Sequence, residues 1–548
     1  MLRERFTRDI DEARRLLQSE GIWPEGPLPA FQVEIPADTA HGDVASNVAM
    51  VLARALGKPP RQLAGEILEH LPADDWFHGV EVAGPGFLNA HLTPTAASQA
   101  VLAVERAGDG YGRRPATGRR VLLEFVSANP TGPMNVVSAR AAAFGDALAN
   151  LLEVAGESVM REYYVNDAGG QIEALGETME ARMREAMGLP FAIPDNGYQG
   201  EYVADIARAF LAERGGAILE EPREARIRTL SDFAVETIMA GVKTDLADYG
   251  VHFDRFFSER RDLREKGLAE EAIRALEARG SLYEKDGALW LRTTEFGDDK
   301  DRVLRKSDGN LTYFAPDIAY HKDKYDRGSS FLIDVLGPDH HGYVSRMKAA
   351  MAALGHDPAS FEVKLIQHIR LIRGGEAASM SKRHGEIIPM REFLSEVGKD
   401  AARFFFLLRS ADSPLDFDLD LAVQESSENP VYYVQYAHAR ISSILRQAGD
   451  VRDDGNFAGL TSREEMALVR RILAYPEEIQ MAADLREPHH IARFALDLAG
   501  AFHSFYNHHR VLGVEAELSA ARLRLVRAVA VTLRSALGIL GVSAPETM

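Results

Sequence analysis

The stretch from Val121 to Arg140 constrains the fold more than any other part of the chain. An apolar strand, Val121 to Phe125, is broken by the turn Asn129-Pro-Thr-Gly-Pro133, and a helix with apolar residues at helical spacing follows. Such a unit can form an anion cradle in an α/β sheet, because free N–H groups and the helix dipole converge at the helix start. The pattern predicts a βα unit, either an ordinary one or one that holds phosphate.

Further strands are expected at Ser158–Val165, Phe331–Leu336 and Val363–Ile366, with helices between them. Strands that alternate with helices imply a parallel sheet. The chain from Ile172 to about Leu276 is mostly helical in pattern and is interpreted as an insertion between strands.

The sequence predicts three domains. The segment Gly108–Pro115 is rich in Gly and Pro and has no apolar period, which is typical of a linker. We expect a small α/β domain over residues 1–112, and a central α/β domain over 113–425 whose helical insertion covers about 172–276. An all-α bundle is expected over 426–548. Its predicted helices are Tyr432–Ala448, Arg463–Leu473, Pro476–Leu485, Pro488–Asn507 and Ala520–Leu540.

Composition excludes several classes of site. The 548 residues include no cysteine, so disulfides and thiolate zinc sites are excluded. No apolar run is long enough to span a bilayer, and the N-terminus is interpreted as a charged amphipathic helix, so we expect a cytoplasmic protein with no membrane partner. The net charge of −19 argues weakly against a polyanionic partner. Residues 429–548 contain Arg but no Lys, however, and Arg-rich faces leave nucleic acid open.

Three loops are predicted to meet at one edge of the central sheet: residues 129–138, 337–342 and 379–385. The first offers backbone N–H groups at a helix start, and the third offers Ser381, Lys382 and Arg383. Mobile cations that face fixed amides suit phosphate transfer from a triphosphate. A plain solvated basic loop is the alternative for Lys382 and Arg383.

His340 and His341 invite a metal interpretation that the spacing does not support. Adjacent histidines point in different directions, and no third ligand has metal-site spacing. We therefore expect no metal site here, and contact with a nucleotide fits better.

Two carboxylates near the predicted core need partners. Glu124 lies on an apolar strand, and Asp317 lies in a short segment that begins at Tyr313. A carboxylate near a core must be paired or hydrogen-bonded. Either an internal Arg or a cationic ligand with a guanidinium would serve, and local sequence leaves both open.

Taken together, these segments resemble the arginyl-tRNA synthetases of bacterial type over nearly the whole chain. The number, order and spacing of the motifs carry the resemblance. They are Glu124–Pro133, Tyr164–Gln171, Tyr313–Tyr320, Leu336–Tyr343, Asn429–Arg440 and Leu540–Met548.

The resemblance implies an α/β Rossmann-type parallel-sheet catalytic domain of class I. That domain would activate L-arginine with ATP and Mg²⁺ as co-substrates and transfer the arginyl group to tRNA(Arg). The N-terminal domain would contact the tRNA elbow, and the bundle would bind the anticodon region. The family likeness also implies a monomer with no tightly bound metal or prosthetic group.

The resemblance assigns roles residue by residue. Arginine would be held by Glu124, Ser127, Asn129, Tyr313 and Asp317. ATP would be bound by Pro130, Thr131, Gly132, Asn135, Ser138, Gly337, Asp339, His340, Met380, Ser381 and Lys382. The catalytic residues would be Lys382, Ser138 and Asn135, and tRNA would contact Tyr432, Tyr436 and Arg440.

Two family signatures are altered. The His-x-Gly-His motif of the class is here Asn135-Val-Val-Ser138, which can donate hydrogen bonds to phosphate but carries no positive charge. The Lys-Met-Ser-Lys-Ser motif is here Ser379-Met-Ser-Lys-Arg383, without the first lysine. A synthetase-like paralogue that adenylates another substrate, and a non-catalytic tRNA-binding protein, are therefore the alternatives. The C-terminal bundle argues against the first, and joint retention of Glu124, Asp317 and Lys382 argues against the second.

Overall fold

A computed structural model describes residues 2–36, 41–73, 75–378, 388–449, 457 and 459–548. The chain forms two compact units, one of Met1–Arg114 with Glu425–Met548 and one of Pro115–Gln424. None of the helices in these described ranges is long and apolar enough to cross a membrane.

The N-terminal part of the first unit is a small α/β fold. Its four strands form an antiparallel sheet in the order β1-β2-β4-β3. The elements are α1 (Leu2–Ser19), β1 (Val33–Glu34), β2 (Val44–Ser46), α2 (Val48–Leu56), α3 (Pro60–His70), β3 (Phe77–Ala83), β4 (Phe87–Leu92) and α4 (Pro94–Ala107).

The second unit holds most of the strands. In chain order its elements are β5 (Arg120–Glu124), α5 (Val136–Val154), β6 (Ser158–Val165), α6 (Gly170–Ala186), α7 (Glu201–Arg214), α8 (Arg223–Asp248), β7 (Arg255–Ser258), α9 (Leu268–Ala278), β8 (Leu282–Lys285), β9 (Ala288–Leu291), β10 (Arg302–Arg305), α10 (Phe314–Asp326), β11 (Phe331–Leu336), α11 (His341–Ala353), β12 (Phe361–Leu365), β13 (Ile369–Arg373), β14 (Glu376–Ala377), α12 (Met390–Val397), α13 (Lys399–Leu407), β15 (Leu415–Asp418) and α14 (Leu419–Ala422).

Five of these strands form the predicted parallel sheet, in the order β12-β11-β5-β6-β7. The central strand β5 is buried along Val121–Glu124, and α5 packs closely over its end. Gly145 permits this approach, since a Cβ there would meet Phe125 Cγ at 2.2 Å. Because all five strands run the same way, their carboxyl ends lie at one edge of the sheet.

The predicted helical insertion is only partly helical. Helices α6, α7 and α8 fill most of it, but Arg255–Ser258 is a strand that pairs in parallel with β6 at the edge of the sheet. The prediction of a mostly helical stretch from Ile172 to about Leu276, interrupted at Pro190–Gly200, missed this strand. Four residues are too few to show a strand period, and the pairing is decided by β6, which lies about a hundred residues earlier in the chain.

The C-terminal part of the first unit is all helical over the described residues. It consists of α15 (Pro430–Ala448), α16 (Arg463–Leu485), α17 (His489–His508) and α18 (Ala516–Leu540). The sequence predicted separate helices on either side of Pro476, but α16 runs through this residue. Pro476 is buried, so packing of the surrounding apolar residues overrides the local helix-breaking tendency.

Candidate active site

Two of the three predicted loops, residues 129–138 and 337–342, lie at the carboxyl edge of the sheet, and the third, residues 379–385, is outside the described residues. Strand β5 ends at Glu124, opposite Asp334 of its neighbour β11, which continues to Leu336, so the turns that follow the two strands leave the same edge of the sheet. The segment after residue 387 is bonded through its backbone to the end of the turn that follows β5. Met390 N donates to Met134 O at 2.8 Å, and Val136 N donates to Ile388 O at 3.3 Å.

Several predicted ATP contacts lie outside the described residues. Met380, Ser381 and Lys382, with Arg383, belong to the 379–387 segment, of which only the flanks are described. The backbone of His340 closes a short 3₁₀ turn with Pro338 and Asp339, and Asp339 is exposed.

Asn135 is the N-cap of α5. Its Oδ1 accepts hydrogen bonds from Val137 N at 2.9 Å and Ser138 N at 3.1 Å, and Ser138 Oγ lies 3.5 Å away. Because Val136 N is bonded to Ile388 O, the first three amides of the helix already have partners. The expectation of free N–H groups at this helix start was therefore wrong. Asn is among the best N-capping residues, and its side chain takes the place that an anion would occupy.

The cap role and a phosphate-binding role of Asn135 can be separated by substitution. Asn135→Ala is expected to lower the free energy of unfolding by about 1 kcal/mol, since it removes the cap, whereas Asn135→Asp retains it. Thermal and denaturant unfolding measure this difference. If the Nδ2 group also contacts ATP, Asn135→Asp raises the KM for ATP at unchanged stability. Equal stability of the Ala and Asp variants would contradict the cap assignment.

Glu124 is paired with a cation of the protein. Its Oε2 accepts a hydrogen bond from Lys324 Nζ at 2.6 Å, and its Oε1 accepts one from Ser127 Oγ at 2.9 Å. Both Glu124 and Lys324 are buried. Glu124 is thus paired with a cation inside the protein, and that cation is a lysine. Glu124 alone no longer points to a cationic ligand.

The backbone just after Glu124 is strained. Val126 and Ser127 have φ values of 67° and 41°, a region that residues with a Cβ, and β-branched ones above all, rarely adopt. The bend brings Ser127 Oγ onto Glu124 and lets the same hydroxyl accept from Tyr164 N at 3.0 Å. Strain of this kind concentrates at functional sites, where the surrounding structure enforces it.

Asp317 differs from Glu124. It is half-buried on the first turn of α10, and no described residue donates a hydrogen bond to its carboxylate. Burial raises the pKa of Asp317 to about 7; the negative charges of Glu259 and Glu124 add to the rise, while His321 and Arg346 oppose it. A half-buried carboxylate without a hydrogen-bond donor, beside a second carboxylate, suits a cationic ligand.

The other predicted arginine and ATP contacts include Tyr313, Asn129 and the turn Pro130–Gly132. Tyr313, directly before α10, is 91% exposed. Asn129 Nδ2 donates to Gln171 Oε1 at 2.9 Å, and Asn166 Nδ2 donates to Asn129 Oδ1 at 3.3 Å. In the turn that follows, Thr131 O accepts from Tyr202 OH at 2.5 Å, so α7 supports the segment Pro130–Gly132.

Sequence reasoning missed the buried polar groups behind the site. Lys324 and Asp334 carry no motif signal of their own; Asp334 was only part of a predicted strand, and no particular element was predicted over Lys324. One signal existed for Asp334, which interrupts the apolar strand Phe331–Leu336 just as Glu124 ends an apolar one. Asp167, in the segment Tyr164–Gln171, is held within the protein: its carboxylate accepts from Ser258 Oγ at 2.5 Å and Arg260 N at 2.9 Å, which ties the ends of β6 and β7 together.

In the first unit, the predicted tRNA contacts share one face of α15. The rings of Tyr432 and Tyr436 stack with centroids 6.1 Å apart and an angle of 9° between them. The Arg440 guanidinium lies 5.3 Å from the centre of the Tyr436 ring and 5.2 Å from that of Tyr506. The side chains of Tyr432, Tyr436 and Arg440 are half-buried, and that of Tyr506 is 37% exposed. This surface therefore offers aromatic rings and a cation together.

Three family models match the chain in succession. Residues 2–92 match the arginyl tRNA synthetase N-terminal domain, residues 100–406 match the class I (R) tRNA synthetase catalytic domain, and residues 434–548 match the DALR anticodon binding domain.

Relatives match over almost their full lengths. The arginine–tRNA ligase of Symbiobacterium thermophilum is 50% identical, with 95% of each chain covered. That of Syntrophotalea carbinolica is 46% identical, with 100% of each covered. Among solved structures, the Thermus thermophilus arginyl-tRNA synthetase aligns with a TM-score of 0.79 at 25% identity, covering 100% of both chains. With the catalytic-domain model spanning more than half of its residues and relatives this similar from end to end, the chain belongs to the class I arginyl-tRNA synthetases.

Proposed function

We propose that this chain activates L-arginine with ATP and transfers the arginyl group to the 3′-terminal ribose of tRNA(Arg), releasing AMP and pyrophosphate. The observation that carries the proposal is Asp317, a half-buried carboxylate with no donor among the described residues, at the carboxyl edge of the parallel sheet. Family membership supports the aminoacylation reaction, and the Asp317 carboxylate supports arginine as the amino acid substrate.

The arginine guanidinium is proposed to bind between Asp317 and Glu124. An ionised carboxylate has about four acceptor positions, and Lys324 and Ser127 use two of those on Glu124. Acceptor positions therefore remain on Glu124 for a guanidinium, while Asp317 offers all of its own. Guanidinium groups are planar, permanently charged donors that suit such carboxylates. Ser127, Asn129 and Tyr313 complete the proposed set.

ATP is proposed to lie over the turns that follow β5 and β11. Its contacts would be those expected from the family: Pro130, Thr131, Gly132, Asn135, Ser138, Gly337, Asp339, His340, Met380, Ser381 and Lys382. Mg²⁺ enters with the nucleotide, since it prefers phosphate, carboxylate and water oxygens, and the exposed Asp339 carboxylate is a donor of this type. The Asn135 oxygen is occupied by the cap, so its Nδ2 group is the part left for phosphate.

The chemical step needs no general base, because the arginine carboxylate is already ionised. It attacks the α-phosphate in line, and the bond to pyrophosphate breaks. In the second step the terminal ribose hydroxyl of tRNA attacks the carbonyl carbon of the adenylate, its proton passes to a phosphate oxygen of the leaving group, and AMP leaves. Catalysis would consist of positioning and charge stabilisation, with Lys382 as the cation and Asn135 and Ser138 as hydrogen-bond donors.

tRNA is proposed to contact both ends of the chain. Residues 1–112 would bind the elbow, and residues 426–548 would bind the anticodon stem and loop. Tyr432, Tyr436 and Arg440 support the second role, because single-stranded RNA is recognised by stacking on aromatic and guanidinium planes. We further propose that the protein acts as a monomer in the cytoplasm.

Pyrophosphate exchange with each standard amino acid, with and without tRNA(Arg), tests the function. Only arginine is expected to support exchange, and citrulline, its uncharged analogue, is expected to fail because it cannot neutralise Asp317. Exchange with another amino acid would identify a synthetase-like paralogue. Absence of exchange under all conditions, with tRNA binding intact, would identify a non-catalytic tRNA-binding protein.

A further inference from the structure

Lys324 is fully buried, and its ammonium joins α10 to two strands of the sheet. Its Nζ donates to Glu124 Oε2 at 2.6 Å on β5 and to Asp334 Oδ1 at 2.8 Å on β11, and it lies 4.2 Å from the centre of the Tyr320 ring. Burial by itself would lower the pKa of Lys324, but the negative charges of Asp334 and Glu124 raise it above its ordinary value. The group is therefore a permanent cation within the sheet edge.

The contacts of Lys324 continue as far as Asp317. Asp334 Oδ2 lies 2.7 Å from His321 Nε2, and His321 Nδ1 lies 2.7 Å from the carbonyl oxygen of Asp317. Glu124, Lys324, Asp334 and His321 thus form a continuous chain of buried polar groups that ends on the backbone of Asp317. One hydrogen-bonded chain connects the two carboxylate residues proposed to hold arginine.

This arrangement determines how Glu124 meets a ligand. Lys324 and Ser127 anchor one oxygen each, so the carboxylate has one orientation before any substrate arrives. Groups ordered in advance need not be ordered on binding, which strengthens affinity.

We infer that Lys324 is a positioning residue for arginine recognition: it orients the Glu124 carboxylate and, through Asp334 and His321, couples it to the Asp317 turn, without itself contacting substrate. This inference rests on the proposed binding of arginine by Glu124 and Asp317. The competing explanation is a purely structural role, in which Lys324 only ties α10 to the sheet.

Two variants separate positioning from stability. Lys324→Met leaves two buried carboxylates without their cation, which destabilises the fold strongly. The double variant Lys324→Met/Asp334→Asn removes one charge of each sign and so preserves the charge balance, while it still frees Glu124. Lys322→Met is the matched control, because Lys322 is on the same helix but pairs with Glu271 and Asp326 at the surface.

The measurements are arginine and ATP KM values from pyrophosphate exchange with tRNA present, together with thermal unfolding. For the folded double variant we expect the arginine KM to rise roughly tenfold while the ATP KM changes by less than about twofold. The Lys322→Met variant should have the wild-type KM for arginine and the wild-type KM for ATP. An unchanged arginine KM, an equal rise in both KM values, or failure of both Lys324 variants to fold would overturn the inference and leave a structural role.

A Glu124→Gln variant distinguishes the inference from the proposal beneath it. If wild type activates arginine and Glu124→Gln raises the arginine KM but the double variant does not, only the role of Lys324 is wrong. If Glu124→Gln also leaves the arginine KM unchanged, the proposed arginine site itself is wrong.

Discussion

Replacing Asp317 by Asn is expected to raise the KM for arginine by on the order of a hundredfold and to leave the KM for ATP nearly unchanged. The substitution removes one charge that faces the guanidinium in a half-buried site, while the shape of the side chain is preserved. Glu124 keeps acceptor positions for the guanidinium but cannot replace the lost charge, because its own charge is already paired with the Lys324 ammonium. Steady-state pyrophosphate exchange with each substrate varied in turn measures both constants.

The same residue predicts a pH dependence. Because the pKa of Asp317 is raised to about 7, the carboxyl is neutral below that pH and cannot pair with the guanidinium. The arginine KM is therefore expected to fall as pH rises from 6 to 8, by up to about tenfold per pH unit on the acidic side. The Asn variant should lose this dependence.

The folded state should become less stable as pH rises, although arginine binding becomes stronger. A carboxyl whose pKa is raised in the fold destabilises the folded state as pH rises from its unfolded pKa to its folded one. Asp317→Asn is therefore expected to raise Tm at pH 8. Asp326→Asn, on the same helix but paired with Lys322 at the surface, is the control and should change neither KM. Equal effects of Asp317→Asn on the arginine and ATP constants would contradict the assignment of the substrate.

Lys382→Ala is expected to lower kcat for adenylate formation by on the order of a hundredfold, the usual effect of removing one stabilising contact to a developing charge. Lys382 belongs to the segment 379–387, outside the described residues, but the segment's exit is held beside the start of α5 by the bonds of Ile388 and Met390. Asn135 and Ser138 carry no charge, so Lys382 is expected to have a larger share of the charge stabilisation than in a chain with both histidines.

Single-turnover formation of the adenylate, with arginine and ATP saturating, isolates this effect from binding. Lys399→Ala is the control, because Lys399 is exposed at the start of α13. A rate within about twofold of wild type in Lys382→Ala would exclude a transition-state role for this lysine. A raised KM for ATP with unchanged kcat would instead assign it to ground-state binding.

Features that depend on neighbouring residues in the chain could be predicted from the sequence, and features that depend on distant residues could not. The parallel sheet, and the position of the Asn129–Ser138 and Gly337–Gly342 turns at its carboxyl edge, could be predicted because strand and helix periods are local and parallel strands end at the same edge. Strand β7 could not, since its four residues acquire their conformation from pairing with β6. The expectation of free amides in the first turn of α5 was also wrong, because the Asn135 side chain caps two of them.

The sequence by itself determined the class of fold, the order of its parts and which residues the family would bring to arginine, ATP and tRNA, because these depend on short motifs and their spacing. Only the tertiary structure decided that Glu124 is paired, whereas no described residue donates a hydrogen bond to the Asp317 carboxylate. Lys324 is 200 residues from Glu124 in the chain and 10 from Asp334, so neither contact leaves a trace in local sequence. The physical reason is that the partner of a buried charge is chosen by packing across strands, which no local pattern records.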